Sequence, residues 1–132
     1  MIVKNIMNKT VYSIEHTKTV HESLKMMYQL GIGRLFVFDK QNNPIGVISY
    51  KDILVLLGSD ETSINIDAVK VSDIMTDMVT TIDASESIQN AANLILRADI
   101  SGLLVTENGE NVGVITKTDI CRIVSMSEIS LS

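Results

Sequence analysis

Tryptophan is absent from this 132-residue chain, aromatic residues reach only 4%, and there is a single cysteine. With so few rings, a cofactor held by aromatic stacking is disfavoured. The interior has to be built from valine, isoleucine, leucine and methionine, which pack adaptably. Lone Cys121 excludes an internal disulfide and, with no sequence-local partner, reads as a buried or half-buried helix thiol. Basic residues are scattered and the net charge is −5, so the stripe of cations that neutralises a phosphate backbone is missing and long nucleic acids are disfavoured. The N-terminus carries no continuous apolar stretch of the kind that makes a signal peptide or a membrane span, which predicts a soluble, cytoplasmic protein without membrane partners.

Constellations for bond making are missing as well. His16 and His21 stand five apart without cysteines or carboxylates at metal-ligand spacing, so they read as surface residues and no metal site is expected. Neither a Walker-type phosphate loop nor a nucleophile elbow occurs. Asp73 and Asp77 are local to a short helix and read as solvated. These absences argue against an enzyme.

What is present is a repeat at an offset of about 68 residues. Val3-Lys4-Asn5-Ile6-Met7 returns as Val71-Ser72-Asp73-Ile74-Met75, and Val11 to Ile14 returns as Val79 to Ile82. Gly46-Val47-Ile48-Ser49-Tyr50-Lys51-Asp52-Ile53 returns as Gly113-Val114-Ile115-Thr116-Lys117-Thr118-Asp119-Ile120. At 45% hydrophobic residues the chain can fill one compact interior but is short for two independent domains of average size, so the halves are expected to share a core.

Each copy predicts strand, helix, strand, strand, helix. The first helices carry Val20, Leu24, Met27 and Tyr28 on one face, and Ile88, Ala92, Ile95 and Leu96 on the equivalent face. Two hairpins follow, Leu35 to Phe38 with Ile45 to Ser49, and Leu103 to Thr106 with Val112 to Thr116. The second turns on Asn108-Gly109, a pair that tolerates positive φ at both central positions. The closing helices are Asp52 to Leu57 and Asp119 to Ser127. The boundaries are repeat 1 over 1–58, a polar linker over 59–70 whose Ile64 and Ile66 can cover an edge, repeat 2 over 71–127, and a frayed tail over 128–132.

Ser49-x-x-Asp52 and Thr116-x-x-Asp119 each stand where a strand ends and a helix begins. A hydroxyl followed three residues later by a carboxylate is close to a capping box. The same geometry suits a ribose phosphate, because helix amides attract phosphate and a carboxylate can accept from both vicinal hydroxyls. Lys51 and Lys117 lie inside these motifs, as solvated lysines or as phosphate contacts.

The repeated Val-x-x-Ile-Met, the Ile100-Ser101-Gly102-Leu103-Leu104-Val105 stretch and the twice-used Gly-Val-Ile-Ser/Thr-x-x-Asp together resemble the cystathionine β-synthase (CBS) domain family. Two such domains in tandem make a CBS pair, or Bateman module, and the resemblance spans essentially the whole chain. Phe36 and Leu104 stand where many members carry proline, a change that suits a strand and alters the wall of each cleft. The resemblance implies an α/β (α+β) fold of two β-α-β-β-α repeats packed by pseudo-twofold symmetry.

It also implies clefts between the repeats for an adenosine-containing ligand, AMP, ADP, ATP or S-adenosylmethionine, with no required cofactor. By residue-wise correspondence, Ser49 and Thr116 lie near phosphate and Asp52 and Asp119 hold the ribose. Tyr12 and Thr80 offer backbone groups to adenine, and Ile32-Gly33 and Ile100-Ser101 form the opposite wall. Arg34, a solvated surface arginine or the match of a phosphate-contacting one, breaks the symmetry, since its counterpart is Gly102. The implied function is a stand-alone regulatory module that senses energy or metabolite state, shifts population on binding and signals to an effector protein. The alternative is a ligand-free interaction or dimerisation module. A homodimer through paired helices is implied too, and helix faces such as Leu24, Met26, Met27 and Leu30 are apolar around more than one stripe.

Overall fold

The computed structural model describes residues 1–59 and 64–126; the tail placed at 128–132, the last residue of the closing helix and part of the 59–70 linker lie outside the described residues. In order the elements are α1 (Val3–Ile6), β1 (Ser13–Glu15), α2 (Val20–Leu30), β2 (Arg34–Phe38), β3 (Pro44–Ser49) and α3 (Tyr50–Leu57). The second series is α4 (Val71–Ile74), β4 (Thr81–Asp83), α5 (Ile88–Ala98), β5 (Gly102–Glu107), β6 (Glu110–Thr116) and α6 (Lys117–Met126). The strands make two three-stranded sheets, β1-β2-β3 and β4-β5-β6. In each sheet the first pairing is parallel and bridged by a helix, as a parallel pair requires, and the second is an antiparallel hairpin.

Capping explains where the helices begin and end. Thr19 and Glu22 form a reciprocal box at the start of α2, with the Glu22 amide donating to Thr19 Oγ1 at 3.1 Å and the Thr19 amide to Glu22 Oε2 at 2.9 Å. The Asn90 amide donates to Ser87 Oγ at 3.1 Å to start α5. Gly31 ends α2 in the left-handed region at φ 68°, whereas Asp99 takes the same conformation at φ 52° to end α5. At Asn108 and Gly109 φ is 53° and 80°, the pair of positive angles that a two-residue hairpin needs.

The chain divides into two compact units, residues 12–79 and residues 1–11 with 80–132. Each holds a cluster of buried side chains of its own. Residues 12–79 enclose Ile14, Val20, Met27, Leu35, Val37, Ile48, Ile53 and Val71. The other unit encloses Val3, Ile82, Ala84, Ala91, Ile95, Leu103, Val105 and Ile115. Small domains bury a modest share of their surface, and here each core is completed by a lead-in segment carrying Val-x-x-Ile-Met.

The lead-in at 71–79 follows the first repeat and docks on it. That at 1–11 docks on the second repeat, far away in sequence. The backbone bonds match one for one. Val3 N–H donates to Glu86 O (2.8 Å) and Lys4 N–H to Ala84 O (3.0 Å), as Val71 N–H donates to Lys18 O (2.8 Å) and Ser72 N–H to His16 O (3.3 Å). Asn8 exchanges two 2.8 Å bonds with Val114, and Thr76 exchanges two 2.9 Å bonds with Val47.

The helix faces differ in detail from the spacing argument. Val20, Ser23 and Met27 are buried on α2, and Ile88, Ala91 and Ile95 on α5. Tyr28 and Leu96, assigned above to the inner faces, are 82% and 77% exposed. The inward row is therefore i, i+3, i+7, and the fourth apolar position of each copy points outward. Of the residues offered for a dimer face, Met27 is fully buried, Leu24 and Met26 pack half-buried against the same core, and Leu30 remains exposed. Cys121, expected at least half-buried, is exposed.

Candidate functional site

In the 12–79 unit, all seven anticipated residues come to one end of the sheet. Tyr12 precedes β1, and its carbonyl accepts from the Phe36 amide at 3.1 Å. Ile32, Gly33 and Arg34 lead into β2, which runs parallel to β1, so both strands begin at the same end. Because β3 is antiparallel to β2, it finishes there, with Arg34 opposite Ser49. The first amide of α3, on Tyr50, donates to Gly33 O at 3.2 Å, which ties the helix start to the entry of β2.

Asp52 is half-buried and its carboxylate is well occupied. Its Oδ2 accepts from the Ser49 amide at 2.8 Å and from the Ser49 hydroxyl at 3.1 Å, while Oδ1 accepts from the Thr76 hydroxyl at 3.3 Å. Ser49 thus gives its hydroxyl to the carboxylate instead of capping an amide. Lys51 is exposed on the first turn.

The second unit repeats the arrangement with Thr80, Ile100, Ser101, Gly102, Thr116, Lys117 and Asp119. Thr80 O accepts from the Leu104 amide at 3.1 Å, and Ser101 O accepts from the Lys117 amide at 3.0 Å. Gly102 lies opposite Thr116. Here the capping box is complete, since the Thr116 amide donates to Asp119 Oδ2 at 2.9 Å and the Asp119 amide to Thr116 Oγ1 at 3.1 Å. Asp119 Oδ1 faces Arg122 Nη1 at 3.7 Å, beyond hydrogen-bond length.

Three neighbours escaped the sequence reading. Tyr50 lies beside Gly33: a Cβ built on that glycine would touch ring carbons of Tyr50 at 3.6 and 3.7 Å. Lys117 is the counterpart of Tyr50. Arg122 follows Asp119 by three residues, a spacing that puts both on one helix face and was legible. Thr76 reaches Asp52 across 24 residues of sequence, which no local pattern reports.

Two surface grooves lie elsewhere. One, of about 350 Å³, is lined by His21, Leu24, Lys25, Tyr28, Gln29 and Ile66. The other, of about 290 Å³, runs along Thr81, Asp83, Glu86, Asn90 and Arg97. His16 and His21 are half-buried, and His21 Nδ1 meets Asp67 Oδ1 at 2.6 Å. Among the described residues no group of three or more metal-ligating side chains occurs, and no helix is long and apolar enough to cross a membrane.

A strand-helix-hairpin-helix unit used twice, with a hydroxyl-x-x-Asp junction closing each sheet, defines a tandem of CBS domains. The chain belongs to the CBS domain family, whose pattern matches residues 3–59 and 71–126. It is similar to an uncharacterized protein of Methanopyrus kandleri, 28% identical over 122 residues that make up 92% of this chain and 61% of the relative. The chain thus spans less than two thirds of that relative's length. Among solved structures, a CBS-domain protein of Burkholderia ambifaria superposes with a TM-score of 0.85 at 23% identity, covering 100% of both chains. The CBS domain pair of protein MJ0100, in complex with 5′-methylthioadenosine and S-adenosyl-L-methionine, gives a TM-score of 0.83 at 24% identity, covering 96% of this chain and 97% of that one.

Proposed function

We propose that the chain is a regulatory module that binds an adenosine-containing ligand at its strand-to-helix junctions and signals occupancy to a partner. The observation that carries this is the gathering, in each unit, of seven residues from three separate segments at one sheet end, among them an aspartate at the start of a helix. Main-chain groups at the entries of β1 and β2 suit an adenine edge. The aspartates suit a vicinal diol, and the lysines and helix starts suit phosphate. The complex of the MJ0100 pair with two adenosine compounds supports the same ligand class. Exposed Tyr28, Leu54 and Val55 on the 12–79 unit and exposed Leu96 on the other offer apolar side chains to a second copy or an effector.

A thermal-shift panel of AMP, ADP, ATP, S-adenosylmethionine and 5′-methylthioadenosine tests the proposal. Ligand at a hundred times its Kd adds about 2.7 kcal/mol, which for a chain of this size raises Tm by about 8 °C. No shift with any of them at millimolar concentration overturns it. The complete capping box at Thr116 and Asp119 favours a second reading, in which the junctions serve only to start helices and the module acts through protein contacts. That reading requires an unmoved Tm.

A further inference from the structure

The two junctions repeat in sequence but not in the state of their carboxylates. Asp52 has both oxygens engaged, Oδ2 by Ser49 twice and Oδ1 by the Thr76 hydroxyl. The counterpart of Thr76 is Asn8, and Asn8 Oδ1 turns away to accept from the Thr10 amide at 2.9 Å. Asp119 therefore receives nothing from its lead-in segment. Among the described residues its Oδ1 has only Arg122, whose guanidinium is 3.7 Å away on a side chain that is 62% exposed. A pair at that distance with an exposed arginine contributes little, and the arginine yields readily to a better partner.

The surrounding cations are exchanged between the junctions. Lys117 and Arg122 in the second unit stand where the first has Tyr50 and Val55, and Arg34 and Lys51 in the first stand where the second has Gly102 and Thr118. Two cations thus accompany each junction, and what separates the two is the outer carboxylate oxygen, which at Asp119 lacks a lead-in hydroxyl. At the first, the Tyr50 ring lies beside Gly33 and the outer oxygen is already taken.

Resting on the ligand class proposed above, we infer that the Thr116–Asp119 junction is the tighter site for the ribose of an adenosine ligand. Thr76 sets the difference, as a positioning residue that occupies Asp52, and Arg122 is a contact for phosphate at the tighter site. A diol binding at Asp52 must first displace the Thr76 hydroxyl, which at 3.3 Å is a long bond. Displacing it weakens binding about three- to tenfold. Losing a charge-assisted phosphate contact at Arg122 is of similar size or larger.

Calorimetry on the full chain tests this, with ADP as the probe and adenosine as its uncharged comparator. Wild type gives two ADP phases, separated by about three- to tenfold. Asp119→Asn, which keeps a capping oxygen, removes the tight phase, whereas Asp52→Asn removes the weak one. Thr76→Val tightens the weak phase about three- to tenfold and leaves the tight phase unchanged. The Thr76 backbone bonds to Val47 survive that change. Arg122→Gln weakens the tight phase for ADP about tenfold while adenosine affinity moves less than about twofold. Two indistinguishable phases in wild type, loss of the tight phase in Asp52→Asn, or a Thr76→Val variant with unchanged weak-phase affinity overturns the inference while leaving the ligand class standing. No heat with either probe overturns both.

Discussion

Replacing Gly113 by alanine would set a methyl carbon 2.6 Å from the Asn8 carbonyl oxygen and 2.8 Å from Met7 Sδ. The thioether can swing aside, but the carbonyl cannot. It accepts from the Val114 amide while the Asn8 amide donates to Val114 O, both at 2.8 Å, so the lead-in segment has to lift as a whole. Overpacking of this kind costs about 1–3 kcal/mol, and weakening two backbone bonds adds about 1 kcal/mol. A loss of about 2–4 kcal/mol follows, a large share of a typical domain's stability. Gly46→Ala should behave alike, since its methyl would lie 2.7 Å from Thr76 O and 2.5 Å from Met75 Sδ. Gly33→Ala is the internal control: its nearest neighbours would be Tyr50 ring carbons at 3.6 and 3.7 Å, ordinary contact, so it should stay within about 0.5 kcal/mol of wild type. Urea denaturation of the three variants provides the energies, and amide exchange at Asn8 and Val114 locates the damage. If Gly113→Ala unfolds with wild-type midpoint and slope, the close approach does not hold the lead-in and the reasoning fails.

Thr116→Ala should destabilise by about 1 kcal/mol, since its hydroxyl caps the Asp119 amide. Ser49→Ala should cost at least as much, because it removes a hydrogen bond to the Asp52 carboxylate; a Ser49→Ala loss well below that of Thr116→Ala in urea melts would contradict this. Tyr28→Glu with Leu96→Glu should lower any self-association in sedimentation while leaving the monomer's denaturation midpoint within about 1 kcal/mol, because both side chains already face solvent. A midpoint loss well beyond that would place them in a core. Asp39 and Asp83 both titrate below the ordinary carboxylate value, Asp39 chiefly through the Asn43 amide and Asp83 chiefly through the Ser85 hydroxyl. With folded values depressed, their contribution is fully present above the unfolded value near 3.8 and is lost as pH falls through the folded one. Asp39→Asn should therefore flatten the acid limb of a stability–pH curve, and an unchanged limb would refute the assignment.

Most of the secondary structure was legible because it rests on local chemistry. Asn108-Gly109 tolerates the positive φ of its hairpin, and Thr19 with Glu22 starts α2 as sequence spacing allows. The junction motifs were legible for the same reason: Ser49 and Asp52, like Thr116 and Asp119, meet within one helical turn. The inward faces are only half legible. Apolar spacing alone cannot tell i+3 from i+4 at the edge of a stripe, so it puts Tyr28 and Leu96 inside, where the fold exposes both.

By itself, then, the sequence determined that a unit is used twice and which residues end its strands and start its helices, since these depend on contacts a few residues apart. Tertiary structure alone decided where each lead-in docks, because the bonds joining Val3 to Glu86 and Asn8 to Val114 close loops that no periodicity records. It also decided that Thr76 fills Asp52 while Asn8 leaves Asp119 open. Two near-identical motifs acquire different carboxylates because the segments laid against them carry Thr76 in one unit and Asn8 in the other.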